Sequence, residues 1–377
     1  MVSSINSIMY NLELLNEKNA KVTYSLSSGN AIQNGSDDSI LYNQILTIQN
    51  SLDSYNGISE LISYSSSYNS SSDSSMSSVK SATESIIAGL LQANTDTTSW
   101  TDKQTIADVI EGYKETLYSL ANTSIDNQYI FSGLNTDTQP FVMDETTKKV
   151  AYVSDNSTKT LNVEKGTYAN QGVNGIEAFY YEDSTASNGE SITISENQII
   201  LDNSGNQWQL MDSNNDGSID GLYLDGDLSS TSISVTDNLD DTYTFTNSTL
   251  SSLTSMNSVF DLLDEMINTL NLVDSDGNSI TEDEGGNILS SLIDEINTAY
   301  DSQNIAHALV GTRTNTIERY QEIIDSKITN LTILEKEFAS ADLTSLAVEA
   351  QSLENTYTAL YSTINRVNSL SLVNYLS

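Results

Sequence analysis

One run in this 377-residue chain has residue types and spacing that could do chemistry, Asp212-Ser-Asn214-Asn-Asp216-Gly217-Ser-Ile219-Asp220. It places oxygen donors at positions 1, 3, 5 and 9 of an EF-hand-type loop, with glycine at position 6. Calcium wants several hard oxygens on a tightly turned backbone, and Asp212, Asn214, Asp216 and Asp220 would supply them. Position 12 is Tyr223, where an EF-hand has a bidentate glutamate, so such a site is incomplete or borrows Asp225. The same residues also read as a polar hairpin turn rich in Asn, Asp and Gly. Asp274-Ser-Asp276-Gly277 is a weaker echo.

Other chemistry is hard to place. His307 is the single histidine and lies in a helical pattern, which excludes a two-histidine metal site and suits a surface or packing role. There is no cysteine, hence no disulfide or thiolate chemistry. Lys165-Gly166 has the wrong order for a phosphate loop, and no pair of carboxylates is marked out for acid–base work. The expectation is therefore no catalytic residues, and no cofactor apart from the calcium reading.

A formal net charge of −38 argues against nucleic acid and anionic membrane surfaces as partners. The charge is uneven. Residues 141–250 hold 18 acids against 4 bases, whereas residues 1–33 are neutral and 343–377 carry only Glu349 and Glu354 against Arg366. Near-neutral ends with an acidic middle fit ends buried in an assembly and a middle facing water. No segment approaches the ~20 apolar residues of a membrane span, and Glu13 interrupts the best candidate for a signal-peptide core.

The elements that position these residues are long helices. Leu343, Leu346, Ala350, Leu353, Tyr357, Leu360, Ile364 and Val367 alternate at spacings of three and four, and so do Ile5, Ile8, Leu12, Leu15, Asn19, Val22 and Leu26. Neither narrow seam can bury itself, so the two ends are expected to pair antiparallel. Ile5, Ile8, Leu12, Leu15, Leu353, Leu360, Ile364 and Val367 are the candidate assembly residues. A second helix is expected over about 38–93, begun by Ser36, Asp37 and Asp38. Its seam passes Ser65, Asn69 and Ser72 in a serine-rich run, read as thinly packed or solvated, or as a site of O-linked modification. Thr101 and Gln104 have capping-box spacing before a third helix.

Beyond Asn127 the period changes from 3.6 to 2, with Pro140 at the crossing. Ile192–Ile194, Gln198–Leu201, Gln207–Met211, Thr231–Thr236 and Thr242–Thr246 read as strands, and Asn203–Asn206 as a hairpin turn. Helix returns at Val259–Leu272, is interrupted at Asp274–Asn278 and at Gly285-Gly286, and runs on to Phe338. The expected fold class is α+β, a long antiparallel coiled-coil-like helical core formed by both chain ends with an inserted β-rich domain. The expected domains are 1–35 with 343–377 (terminal, assembly), 36–139 with 251–342 (long-helix core) and 140–250 (outer, β-rich).

Leu26-Ser-Ser-Gly29, Ile32 and Asp37-Asp38 resemble the N-terminal motif of the bacterial flagellin family. Asn127-Gln-Tyr129-Ile-Phe131-Ser-Gly133 with Thr136–Phe141, Val310-Gly311-Thr-Arg313, Ala341-Asp342-Leu343, and the ending Leu370-Ser-Leu372-Val-Asn374-Tyr375-Leu376 are similar to its hook-associated members. The resemblance covers residues 1–141 and 300–377 and leaves 142–299 without a match. It implies a structural protein of the extracellular flagellum, at the hook–filament junction, exported by the type III route without a cleaved signal peptide. The implied partners are copies of itself in a ring, another hook-associated junction protein, flagellin and an export chaperone. A flagellin-type filament subunit is the alternative within the family. From a different class, the alternative is an extracellular calcium-binding adhesin-like protein, against which the paired terminal seams argue.

Overall fold

The seams become helices. In the computed structural model the chain runs through α1 (Val2–Ser28), α2 (Ser39–Ala93) and α3 (Trp100–Ala121). Three small hairpins follow: β1 (Ser124–Ile125) with β2 (Gln128–Tyr129), β3 (Phe141–Met143) with β4 (Val150–Tyr152), and β5 (Thr160–Glu164) with β6 (Thr167–Asn170). A short helix, α4 (Gly175–Phe179), leads into β7 (Tyr180–Ser187), β8 (Ser191–Ser195), β9 (Ile199–Asp202), β10 (Gln207–Met211), β11 (Gly221–Leu224), β12 (Ser232–Asp237), β13 (Thr242–Thr246) and β14 (Ser252–Ser258). The last helices are α5 (Val259–Leu270), α6 (Glu282–Ala339) and α7 (Leu343–Leu376). The structure describes residues 2–95, 97–164, 166–195, 197–214, 218–230, 232–239, 242–275 and 277–376, with side chains described between 6 and 366. The fold class is α+β, with long helices from both chain ends and a β-rich insertion between them.

Local chemistry sets where the helices begin. Asp38 Oδ1 accepts from the N–H groups of Ile40 and Leu41 at 3.0 Å and starts α2 as expected. The cap of α3 is Ser99, two residues before the expected Thr101, because its hydroxyl accepts from Asp102 N and donates to the Asp102 carboxylate. Gly285-Gly286 do not interrupt α6. Thr281 and Glu284 form a reciprocal cap ahead of them, Glu284 N to Thr281 Oγ1 at 3.3 Å and Thr281 N to Glu284 Oε2 at 2.9 Å, so the helix is nucleated before the glycines are reached.

The chain divides into two units, residues 1–60 with 321–377 and residues 61–320. The core of the second unit is helical, with Met76, Val79, Ile86 and Leu90 of α2, Ile110 and Leu117 of α3, Leu263 and Met266 of α5, and Leu292, Ile296 and Val310 of α6 all buried. Phe131, Phe141, Phe179 and Phe260 join it as a ring cluster with centroids 5.1–5.6 Å apart. The serine-rich run departs from expectation. Ser65, Asn69 and Ser72 keep their seam register but are fully buried rather than thinly packed or solvated. For Asn69 and Ser72 the reason lies in the insertion, since the turn after β6 lies against them, Gly172 N donating to Asn69 Oδ1 at 2.8 Å.

Strands β7 to β14 form one eight-stranded antiparallel sheet in the order β7-β14-β9-β10-β11-β12-β13-β8. Ile192, Ile194, Trp208, Leu222, Ile233, Phe245 and Leu253 alternate into its own small core. The five predicted strands are present within one or two residues of their expected bounds. Strands β1–β7, β11 and β14 were not legible as strands.

Candidate functional site

The site is built from the chain ends. In the first unit α1 and α7 pack antiparallel around Leu15, Val22 and Leu353, with Leu346, Ala350, Tyr357 and Leu360 against them. Tyr357 donates its hydroxyl to Asn16 Oδ1 at 2.6 Å. The pair is clamped at its base, where Ala31 N donates to Ala339 O at 2.7 Å and Ala341 N to Gly29 O at 2.9 Å. Gly29 ends α1 with φ of +74°, the left-handed conformation that a helix C-terminus asks of glycine, which gives the Leu26-Ser-Ser-Gly29 motif a physical reason. Asp342 starts α7 by accepting from Thr344 N and Ser345 N. Lys21 bridges Glu17 and Asp37 at 3.3 and 2.9 Å, and its hydrogen bond holds the Asp37 carboxyl below the usual range.

The expected assembly residues take different places. Leu15 and Leu353 are buried within the pair, and Ile8, Leu12, Leu360 and Ile364 are half-buried. The side chains of Ile5 and Val367 lie outside the described residues. Apolar side chains that the seam register omits face outward instead: Met9, Tyr10, Leu14, Val348 and Tyr361 are exposed, Val348 at 69% and Tyr361 at 55%. Their signal in the sequence was the mismatch itself, apolar residues off the stripe of a two-helix pair in a segment with almost no charge. In the same unit Ile40, Thr47, Ile48, Leu334 and Phe338 line an open apolar groove of ≈ 530 Å³. Such a surface can bury area against other chains, and that is the only chemistry it offers.

In the polar run the described residues Ser213 and Asn214 are tied to Asp220. Asp220 accepts from Ser213 N at 3.1 Å, Ser213 Oγ at 2.8 Å and Asn214 Nδ2 at 3.2 Å, while Asp216 lies outside the described residues. Asp274 is likewise held by Asn278 N at 2.7 Å and Asn278 Nδ2 at 3.1 Å. Among the described residues no group of three aspartate, glutamate or histidine side chains converges as a metal site needs. Calorimetry at millimolar calcium is expected to show no saturable heat. A heat that Asp212→Ala with Asp216→Ala removes would restore the EF-hand reading. His307 Nε2 lies 3.0 Å from Asp73 Oδ1, in a helix–helix pair.

A feature that sequence reasoning missed is a carboxylate cluster in the second unit. Asp261, Asp264 and Glu265 of α5 and Glu295 of α6 line a cleft of ≈ 330 Å³ with Tyr181 and Lys149. Burial, then the Asp264 charge, push the Asp261 carboxyl up to about 6, against the pull of Lys149 and Lys114. Burial also raises Asp264, Glu265 and Glu295. A carboxyl raised on folding contributes stability at low pH that is lost as pH rises through its folded value. The second unit is therefore expected to gain stability as pH falls from 7.5 to 5, and Asp261→Asn should flatten that gain in urea titrations. An unchanged slope in the variant would show that general relief of charge repulsion is the cause.

Residues 3–136 match the family model of the bacterial flagellin N-terminal helical region. No curated protein matches the chain by sequence. Among solved structures the chain is similar to flagellar hook associated protein-3 from Legionella pneumophila, with a TM-score of 0.53 and 15% identity over 78% of this chain and 98% of that one. It is similar also to FlgL of Xanthomonas campestris, with a TM-score of 0.52 and 17% identity over 77% of this chain and 99% of that one. At these identities the likeness is one of fold. Residues 3–136 thus carry the bacterial flagellin N-terminal helical region, within a fold like that of flagellar hook associated protein-3.

Proposed function

We propose that this chain is a structural subunit of the bacterial flagellum that joins hook to filament. The observation that carries the reading is the paired α1 and α7, which spend one apolar stripe on each other and leave Met9, Tyr10, Val348 and Tyr361 outside. A hook-associated fold with a flagellin N-terminal region supports it. In this reading residues 1–35 and 343–377 make the assembly contacts, 36–139 with 251–342 form the supporting core, and 140–250 is the outer domain. Copies of the chain form a ring between another hook-associated junction protein and the first flagellin subunits. The chain reaches the cell exterior through the flagellar type III route with an export chaperone and without a cleaved signal peptide. Its role is structural rather than catalytic and needs no cofactor. Among the described residues no helix is long and apolar enough to cross a membrane.

The match to the flagellin N-terminal region also favours a second reading, a filament subunit. Immunogold labelling of isolated flagella separates the two. Label confined to the hook–filament boundary is the expected result. Label along the whole filament would replace the junction by the filament subunit, and label absent from flagella would remove both.

A further inference from the structure

Asparagine followed by glycine is the pairing in which a chain most readily attacks itself, because no side chain on the glycine hinders its backbone nitrogen from reaching the asparagine side chain. The sequence has four such pairs, Asn34-Gly35, Asn56-Gly57, Asn174-Gly175 and Asn188-Gly189. Three are held. Asn56-Gly57 lies inside α2, where the Gly57 N–H belongs to the helix ladder. Asn174 is 3% exposed, with Nδ2 donating to Asn156 O and Oδ1 accepting from Glu177 N, both at 2.8 Å. Gly189 N donates to Asn247 O at 2.6 Å, and Asn188 Nδ2 to Leu250 O at 3.2 Å.

Asn34-Gly35 differs. It stands in the turn between α1 and α2, with Asn34 exposed. Among the described residues neither the Asn34 side chain nor the Gly35 N–H has a hydrogen-bond partner. The backbone just around them is fixed by Asp37. Its Oδ2 accepts from Gln33 N at 3.2 Å and Asn34 N at 2.9 Å, and Asp37 N donates to Asn34 O at 3.0 Å. Its Oδ1 lies 2.9 Å from Lys21 Nζ, so the same carboxylate ties the turn to α1.

We propose that Asn34 is a site of spontaneous deamidation that loosens this tie. The Gly35 nitrogen gives its proton to solvent base and attacks Asn34 Cγ. A C–N bond forms, the Cγ–Nδ2 bond breaks, and ammonia leaves with a proton from water. Water then opens the resulting succinimide. Breaking its bond at Cγ gives aspartate, and breaking its bond at the backbone carbonyl gives isoaspartate, with the main chain lengthened by a methylene. Either product sets a new carboxylate three residues from Asp37, where it repels that group and competes for Lys21. In the isoaspartate the carbonyl that accepted Asp37 N becomes the free carboxylate, so the turn also loses its backbone bond. The modification therefore acts on the anchor of α1 and leaves the residues of the helix unchanged.

The test uses the full chain, aged at mildly alkaline pH and mapped by mass spectrometry that resolves each of the four pairs. Conversion of amide to carboxyl is expected to concentrate at Asn34, with the other three at least about tenfold slower, because each must first open locally. In urea all four should convert at similar rates. Asn34→Gln should abolish the fast conversion, and hydrogen exchange over residues 15–28 should be faster in aged wild type than in the aged variant. Folded protein in which Asn34 converts no faster than Asn56 or Asn188 would overturn the site. Conversion at Asn34 with unchanged exchange in α1 would overturn its effect on the tie.

Discussion

Cells whose only copy of this chain carries Leu360→Asp with Ile364→Asp are expected to build hooks and export flagellin yet keep no filaments. Leu360 packs against the Leu15, Val22 and Leu353 core of the terminal pair, and Ile364 continues the same stripe one turn on. Full burial of such a side chain contributes about 1.5–3 kcal/mol, of which half-buried Leu360 and Ile364 supply a part, and a carboxylate in its place adds the cost of desolvating a charge. The pair is held by a narrow seam, so two such changes exceed its margin. The rest of the chain should fold as before, because residues 61–320 have their own core. A second variant, Val348→Asp with Tyr361→Asp, changes residues that are 69% and 55% exposed. It should leave the helix pair intact by circular dichroism and still lose filaments. Swimming cells with normal filaments in both strains would sink the junction reading.

The largest loss of stability in the second unit is expected from Arg313→Met. The Arg313 guanidinium grips Glu177 at two nitrogens and donates to Gly172 O, and its side chain is 10% exposed. Glu177 Oε2 in turn accepts from Asn174 N and completes the cap of α4. Breaking one side of a buried pair strands the other charge at a cost of 3–5 kcal/mol. Glu177 keeps 27% exposure, so about 3 kcal/mol is expected in urea titration. Arg313→Lys should recover little, because a single ammonium cannot reproduce the two-pronged contact. Removing both charges, with Arg313→Met and Glu177→Met, should cost less than Arg313→Met alone. A single-variant loss below ~0.5 kcal/mol, the scatter of ordinary surface changes, would mean that the pair only decorates the surface.

Arg313 also shows what the sequence made legible and what it hid. Its segment, Val310-Gly311-Thr-Arg313, stood out as a motif, and the helix that follows it was clear from the three-four spacing of Ile317, Tyr320 and Ile324. Its partner was invisible, because Glu177 sits in a five-residue helix more than a hundred positions away, fixed by tertiary contacts alone. Strand β14 was hidden for a related reason. Its inward positions include Ser255, which is fully buried with its hydroxyl bonded to Ser184 and Asp183, so the apolar alternation that marks a strand is broken in the sequence. The carboxylate cleft was likewise unmarked, since Asp261, Asp264 and Glu265 look like the solvated face of α5 until Glu295 is brought against them. In the terminal pair the seam was legible because burial there depends on spacing within one helix. The outward-facing apolar residues were not, because nothing within a single chain buries them.

The order of the large sheet has a consequence for how the chain comes to be folded. Its two outermost strands, β7 and β8, are consecutive in sequence, while β7 takes its partner from β14, the last strand of the set. The first ribbon made therefore cannot be completed locally, and Tyr180 must wait for Ser258. Each antiparallel neighbour between β9 and β13 closes over a short turn, whereas the β7–β14, β9–β14 and β8–β13 pairings each close over several intervening strands. Closing longer loops forfeits more chain entropy before any contact repays it, and pairings of high contact order form late. A chain emerging N-terminus first would thus hold β7 and β8 as unpaired edges until the whole insertion is available. Those edges are rich in serine, threonine and acidic residues, a composition that keeps an exposed strand from recruiting another copy in the meantime.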